Sequence, residues 1–259
     1  MFYSDVKSNV QQHQKVKRVK GTSLSSGKFK VTLKNLSPGK TYYYNVWLCT
    51  NGKNYTFGQV KSFSTNAAAE NGHDYVDLGL SVMWATVNVG DNDYFAWGET
   101  QPKDYYDWST YKYCNGSYNT LTKYNNSSSY GTVDNKTTLD LSDDAARANW
   151  GGSWRIPTDA ELTELHEQCT WTGTTQNGVY GYKVTSKKSG YTSKSIFLPA
   201  AGDRYDRSLG DAGIIGYYWS SSLGTGRPYN AWSVDLYSGY VDRYGYNRYY
   251  GFSVRPVCQ

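Results

Sequence analysis

Apolar and polar residues alternate with period two in several short stretches separated by turn signals, the pattern of half-buried strands. Phe29-Lys30-Val31-Thr32-Leu33 alternates, Leu36-Ser37-Pro38-Gly39 reads as a turn, and Tyr42 to Leu48 alternates again. Asn51-Gly52 marks a second turn before a last strand near Gln59 to Phe63. Phe2-Tyr3 reads as the remains of a further strand. Residues 1–65 therefore predict an incomplete all-β sandwich module that begins mid-domain, since a full sandwich of this kind needs about seven strands in about 100 residues. Asn66 to Gly72, with Ala67-Ala68-Ala69, reads as a linker.

A second module covers residues 73–259. His73 to Leu80 and Val82-Met83-Trp84-Ala85 predict strands, and Tyr105 to Asp134, rich in Tyr, Asn and Ser, predicts loop. Two helices follow. Asp140 to Asn149 carries Asp143-Asp144 in its first turn, where carboxylates meet the positive end of the helix dipole. Thr158-Asp159-Ala160-Glu161 has the form of a capping box, with Leu162, Leu165 and Cys169 on one side of the helix it starts. Strands return at Ser195 to Leu198, Tyr217 to Ser220, Ala231 to Leu236 and Phe252 to Val257. Alternation sorts one of them: Trp232, Val234 and Leu236 share a face, which leaves Ser233, Asp235 and Tyr237 on the other, expected to face solvent.

Charge supports two modules. The formal net charge is +5, but residues 1–65 hold ten Lys and one Arg against Asp5 alone, so the first module is at +10 and the remainder at −5. The lysines alternate with apolar residues, as in Val16-Lys17-Arg18-Val19, which predicts a solvated strand face rather than a nucleic-acid site. The four cysteines and three histidines lie far apart, with neither zinc-ligand spacing nor a dense disulfide framework, though one disulfide remains open. Asp91-Asn92-Asp93 and Asp143-Asp144 carry oxygens suited to calcium, but turn and helix-start roles account for them. His166 has no identifiable nucleophile partner, so no enzyme, cofactor or metal is expected. Met1 is followed by no targeting run or membrane-spanning stretch, so export and any membrane anchoring would need segments outside this sequence.

The end of the chain uses a restricted alphabet. From Ser195 to Cys258 there is no Lys, Glu, Gln, Met or His, although residues 1–194 use Lys, Glu and Gln freely. Arg204, Arg207, Arg227, Arg243, Arg248 and Arg255 are kept beside many Tyr, Asp, Ser, Gly and Asn, a composition close to that of antibody paratopes.

Two resemblances fit these residues. Leu36-Ser37-Pro38-Gly39-Lys40-Thr41-Tyr42 resembles the end of a fibronectin type III domain, which would make Tyr42 a tyrosine-corner residue. In the second module, Asp77-Leu78-Gly79-Leu80-Ser81-Val82-Met83-Trp84-Ala85, Phe95-Ala96-Trp97-Gly98-Glu99, Trp150-Gly151-Gly152-Ser153-Trp154-Arg155-Ile156-Pro157-Thr158, Leu198-Pro199-Ala200-Ala201-Gly202, Tyr218-Trp219-Ser220-Ser221-Ser222 and Ser253-Val254-Arg255-Pro256-Val257 together resemble the Fibrobacter succinogenes major paralogous domain. That resemblance implies an α+β, C-type-lectin-like domain of the formylglycine-generating-enzyme type, with two helices and a small twisted sheet. The calcium-binding triplets of sugar-binding lectins and the reactive cysteine pair of the formylglycine-generating enzymes are not present.

Some proteins of that fold resemble the variable proteins of diversity-generating retroelements, in which adenines of Asn-type template codons are replaced. Such replacement yields Asn, Tyr, Asp, His, Ser, Gly, Arg and several others, but not Lys, Glu, Gln, Met or Trp. The resemblance implies a variable tail over about residues 203–250, with Trp219 and Trp232 as framework. The candidate ligand-binding residues are Tyr205, Asp206, Arg207, Asp211, Tyr217, Arg227, Tyr229, Asn230, Ser233, Asp235, Tyr237, Ser238, Tyr240, Asp242, Tyr244, Tyr246 and Asn247. The expected protein is a non-enzymatic display protein at a cell surface or on a phage particle, binding a protein or glycan on another cell or phage host. The alternative is an invariant glycan-binding adhesin or structural module of a gut bacterium.

Overall fold

The computed structural model describes residues 1–23, 29–34, 36, 39–49, 55–64, 68–90, 92–237 and 239–259. The predicted turns at Ser37-Pro38 and Asn51-Gly52, the start of the linker at Asn66-Ala67, Asp91 and the candidate residue Ser238 lie outside the described residues. The chain divides into two compact units, Met1–Ala68 and Ala69–Gln259.

The first unit contains β1 (Phe2–Ser4), α1 (Lys7–Gln11), β2 (Lys17–Arg18), β3 (Thr22–Ser23), β4 (Phe29–Lys30), β5 (Thr41–Asn45), β6 (Trp47–Cys49), β7 (Tyr55–Phe57) and β8 (Lys61–Ser64). Phe2-Tyr3 is central rather than residual: β1 pairs antiparallel with both β2 and β5, giving the sheet order β2-β1-β5-β8. Its core is aromatic. Phe2 stacks on Trp47 at 5.3 Å, and the buried Tyr42 stacks on Phe63 at 5.8 Å. The short helix α1, absent from the sequence reading, adds the fully buried Val10. The described residues form one four-stranded sheet, two separate hairpins and this helix, which the expected incomplete all-β module did not include.

The second unit runs through β9 (Ala68–Glu70), β10 (His73–Val76), β11 (Met83–Ala85), α2 (Ala145–Trp150), α3 (Asp159–Gln168), β12 (Cys169–Gln176), β13 (Val179–Ser186), β14 (Ser195–Pro199), β15 (Asp203–Tyr205), β16 (Ser208–Gly210), β17 (Ile215–Leu223), β18 (Asn230–Tyr237), β19 (Tyr240–Asn247) and β20 (Val257–Cys258). Residues 68–70, predicted as linker, form an edge strand, and Glu70 accepts the Trp154 indole N–H at its carbonyl at 2.7 Å. The C-terminal β20 pairs with β11, closing the sheet β20-β11-β10-β9. Three-stranded sheets β12-β13-β14 and β17-β18-β19 and the hairpin β15-β16 complete the unit.

The fold class is corrected by this composition. Strand makes up 39% and helix 12%, spread over several small sheets, so the molecule is predominantly β and not the α+β, C-type-lectin-like class. The helices are short for local reasons. Asp144 caps α2 by accepting the Arg147 N–H at 3.0 Å, and Gly151 at φ 66° ends it after Trp150. The capping box of α3 forms in full, with Thr158 and Glu161 satisfying each other's backbone N–H groups, and Leu162 and Leu165 are buried.

Two apolar clusters hold the unit together. One gathers Phe95, Trp97, Trp154, Trp219 and Phe252; the other gathers Leu78, Trp84, Leu165, Val234 and Leu236. Trp84, Trp154, Trp219, Val234 and Val254 are all buried, as the alternation and motif arguments predict. Tyr105 to Asp134 has little regular structure but is packed: Tyr106, Tyr111 and Tyr124 enter the first cluster. Asp134 accepts the backbone N–H groups of Tyr124 and Asn125, both at 2.9 Å.

Three of the six tail arginines serve the framework instead of a contact surface. Arg255 is buried and donates to Asn88, Ala85 and Phe197 at 2.9–3.0 Å. Arg248 is buried beside the rings of Trp97 and Tyr111, donating to the carbonyls of Lys123 and Tyr124. Arg243 makes a two-pronged pair with Asp159 at the start of α3, at 2.8 and 2.5 Å.

Candidate functional site

The candidate site is built on β17-β18-β19. Because strand side chains alternate, the pairings Tyr217 with Asp235 and Asp235 with Asp242 put the odd-numbered residues of β17 and β18 on one face with the even-numbered residues of β19. Ile215, Tyr217, Asp235, Tyr237, Tyr240, Asp242, Tyr244 and Tyr246 line a cleft of about 400 Å³ on this face. The opposite face carries Tyr218, Val234 and Leu236 into the second apolar cluster, and Arg243 lies over Trp232. Trp232, predicted as framework, is half-buried beneath that guanidinium.

Two expectations on this face need correction. Ser233 is 0% exposed and Asp235 7% exposed, although both were expected to face solvent. The alternation is right and the inference from it incomplete: Ala231 and Trp219 on the same face belong to the first apolar cluster, so the sheet is covered on both sides at that end. Only the end bearing Tyr237, Tyr240 and Tyr244, exposed at 49, 76 and 51%, is open.

Asp235 forms the floor of the cleft. Its carboxylate accepts the Ser233 hydroxyl at 2.9 Å and the Tyr246 hydroxyl at 2.7 Å. Burial pushes the carboxyl up to about 6, against the pull of those two bonds, and Asp242 and Asp203 add to the rise. Burial and Asp235 likewise push the Tyr246 phenol well above its ordinary range. Tyr217 donates to Asp211 at 3.1 Å, which keeps its ring upright against Tyr246 at 5.7 Å and Phe252 at 4.9 Å.

The remaining candidates lie on two further clefts and the ground between. Tyr229 and Asn247 line a cleft of about 510 Å³ with Trp108, Tyr118, Asn119, Ser129 and Tyr130. There Tyr229 packs edge-on with Tyr118 at 5.4 Å and at a tilt with Tyr130 at 5.3 Å. Arg207 and Arg204 line a third cleft of about 410 Å³ with Asp93, Tyr94, Lys103 and Asp104. Asp206 and Arg207 make the turn of the β15-β16 hairpin, where Asp206 sits at φ 55° and its backbone pairs with Tyr106. Asn230 is tied to the Gly245 carbonyl at 3.1 Å, and Arg227 is exposed in the β17-β18 connection.

No known protein family, curated protein or solved structure matches this chain.

A row of ring contacts joins the first two clefts. Trp108 packs on Tyr249 at 5.0 Å, Tyr249 stacks on Tyr250 at 4.8 Å, and Tyr250 meets Tyr205 at 5.3 Å and Tyr246 at 6.1 Å. Sequence reasoning missed Trp108, Tyr118 and Tyr130 as members of this surface, and it placed Tyr249 and Tyr250 in the variable tail without naming them as ligand-binding residues. The signal available was the tyrosine density of the segment assigned to loop; what hid them was that their positions depend on tertiary packing. Cys114, Cys169 and Cys258 carry free thiols, with burial pushing Cys169 and Cys258 up to about 11, so neither is a ready nucleophile. Cys49 has no described side chain. Among the described residues no three His, Cys, Asp or Glu side chains are grouped to hold a metal ion.

Proposed function

We propose that the second unit is a ligand-binding head that works by equilibrium recognition without turnover, displayed at a cell surface or on a phage particle. Its tail is the diversified part of a retroelement variable protein. One observation carries this reading: Tyr217, Asp235, Tyr237, Tyr240, Asp242, Tyr244 and Tyr246, all drawn from the restricted alphabet, line a single cleft. Exposed tyrosines give large contact area with little side-chain entropy to lose, and carboxylates at floor and rim give direction. Tryptophan, which adenine replacement cannot produce, is kept out of the cleft walls: Trp219 is buried and Trp232 lies on the other face.

Sequencing the tail from separate isolates tests it. Codons for Tyr237, Tyr240, Asp242 and Tyr244 should differ at former adenines while those for Trp219 and Trp232 stay fixed. Invariant tails would reject diversification and favour a fixed adhesin. A specific feature supports a glycan ligand as the second reading: the cleft of Trp108, Tyr118, Asn119, Tyr130, Tyr229 and Asn247 offers flat rings and neutral amides, which suit a sugar face and its hydroxyls.

A further inference from the structure

The cleft over β17, β18 and β19 has an electrostatic imbalance. Its lining includes two carboxylates, Asp235 at the floor and Asp242 at the rim, and no lysine or arginine. The nearby tail arginines are engaged elsewhere. Arg243 is paired with Asp159 on the other side of the sheet, and Arg248 is buried against Trp97 and Tyr111. The groups acting most strongly on Asp235 are two hydroxyls and two further carboxylates, and among the described residues no lysine or arginine pairs with this nearly buried acid. A carboxylate has about four acceptor sites, and Ser233 and Tyr246 fill one on each oxygen. The walls above it are tyrosine rings with open faces, Tyr240 and Tyr244 most of all.

Resting on the reading of this face as a ligand-binding surface, we propose that the cleft takes a basic side chain, lysine or arginine, projecting from a protein ligand. Its cationic end meets Asp235 at the floor and its carbon stem lies between Tyr240, Tyr244 and Tyr217. Three physical terms favour that occupant. A cation supplies the missing charge in a site where water screens poorly. Tyrosine faces attract cations, most strongly when desolvated. An aliphatic stem covers the rings without leaving a polar group unpaired. A hard metal cation fits badly, since it requires six or more oxygen ligands and the walls here are carbon. A neutral sugar would hydrogen-bond the carboxylate but leave its charge uncompensated.

Titration of the full chain with blocked tripeptides tests the proposal by nuclear magnetic resonance. The probes carry arginine or lysine between two glycines, with glutamine as the neutral control and N-acetylglucosamine as the sugar. The basic peptides should bind at least about tenfold more tightly than the glutamine peptide, the scale of one charge-assisted contact. That preference should fall with added salt and vanish in Asp235→Asn. Tyr240→Ser, which removes a side chain exposed by 76%, should also weaken binding without touching the core. Equal binding of the glutamine peptide, or undiminished basic-peptide binding in both variants, overturns the inference. If the sugar or the neutral peptide binds and Tyr240→Ser abolishes it, the basic-residue proposal fails while the ligand-binding face stands. If no probe perturbs the tyrosines, the proposal fails and the reading of the face is weakened with it.

Discussion

Asp235 shows how one residue links stability to the proposed recognition. Its ordinary carboxyl value is 3.8, and burial raises it to about 6 in the folded protein, where Ser233, Tyr246, Asp242 and Asp203 act on it and Tyr217 and Tyr244 stand nearby. Between those two values the folded state holds a proton that the unfolded chain has released, so this group's contribution to stability falls as pH rises through the window. Above about pH 6 the ionised, buried acid is a standing cost, up to about 3 kcal/mol at about 1.4 kcal/mol per pKa unit. Asp235→Asn is therefore expected to melt higher than the parent at pH 7.5 and to match it near pH 4. Parallel thermal melts at the two pH values check this, and a lower melting temperature at pH 7.5 contradicts it. Trp219 is the contrasting case. It is fully buried, stacks on Phe252 at 4.3 Å and donates its indole N–H to the Phe95 carbonyl at 2.8 Å. Trp219→Ala should cost about 3–5 kcal/mol, read by denaturant unfolding. Its burial was legible from the motif around it, whereas that of Ser233 was not: period-two alternation says which residues share a face and nothing about what covers that face.

Among elements, the strand β19 and the segment Tyr105 to Asp134 behave oppositely. The open half of β19 carries Tyr240, Asp242 and Tyr244, all exposed. Replacing these three by Ser should change stability by within about 0.5 kcal/mol per site while abolishing ligand binding. Tyr246 is left out because its hydroxyl bonds Asp235 and its ring packs on Phe252 at 5.2 Å. A triple variant that fails to fold would make these tyrosines structural. The segment before α2 depends on Asp143. Burial would raise that carboxyl, but Lys123 at 2.5 Å and Tyr124 at 2.6 Å hold it well below the usual carboxylate range. Asp143→Ala should therefore loosen the segment, seen as faster amide hydrogen exchange over residues 105–134, and weaken the cleft lined by Tyr118 and Tyr130. The alternating strands and the capping box could be read directly from the chain. The β12-β13 hairpin was missed although only β12 hides its pattern, being threonine-rich and little buried along its length; β13 does alternate and buries Tyr182, Val184 and Ser186. Its turn signal was present in Asn177-Gly178, both at positive φ as a two-residue primed turn requires.

On the scale of the whole molecule, the shift in charge and composition near residue 65 falls close to the division at Ala68 and Ala69. Each unit has its own buried residues, with Phe2, Val10 and Tyr42 in the first and two large clusters in the second. A fragment of residues 68–259 should accordingly fold alone and melt within a few degrees of the full chain's main transition, as calorimetry would show. Loss of cooperative melting in the fragment would mean that the first unit supports the second.

The shared contacts at the cleft floor have a consequence for how such a surface can change over generations. Tyr217, Asp235 and Tyr246 touch one another and the same core ring, Phe252, is packed by both tyrosines. Substitutions at these three positions are therefore epistatic: a change at one alters which residues are tolerated at the others. Tyr237, Tyr240 and Asp242 stand further out and can vary nearly independently. Any process that samples tail sequences meets a smooth landscape at the rim and a rugged one at the floor. Lineages should explore new specificities first at the rim, keeping the acidic floor until a compensating partner change arrives.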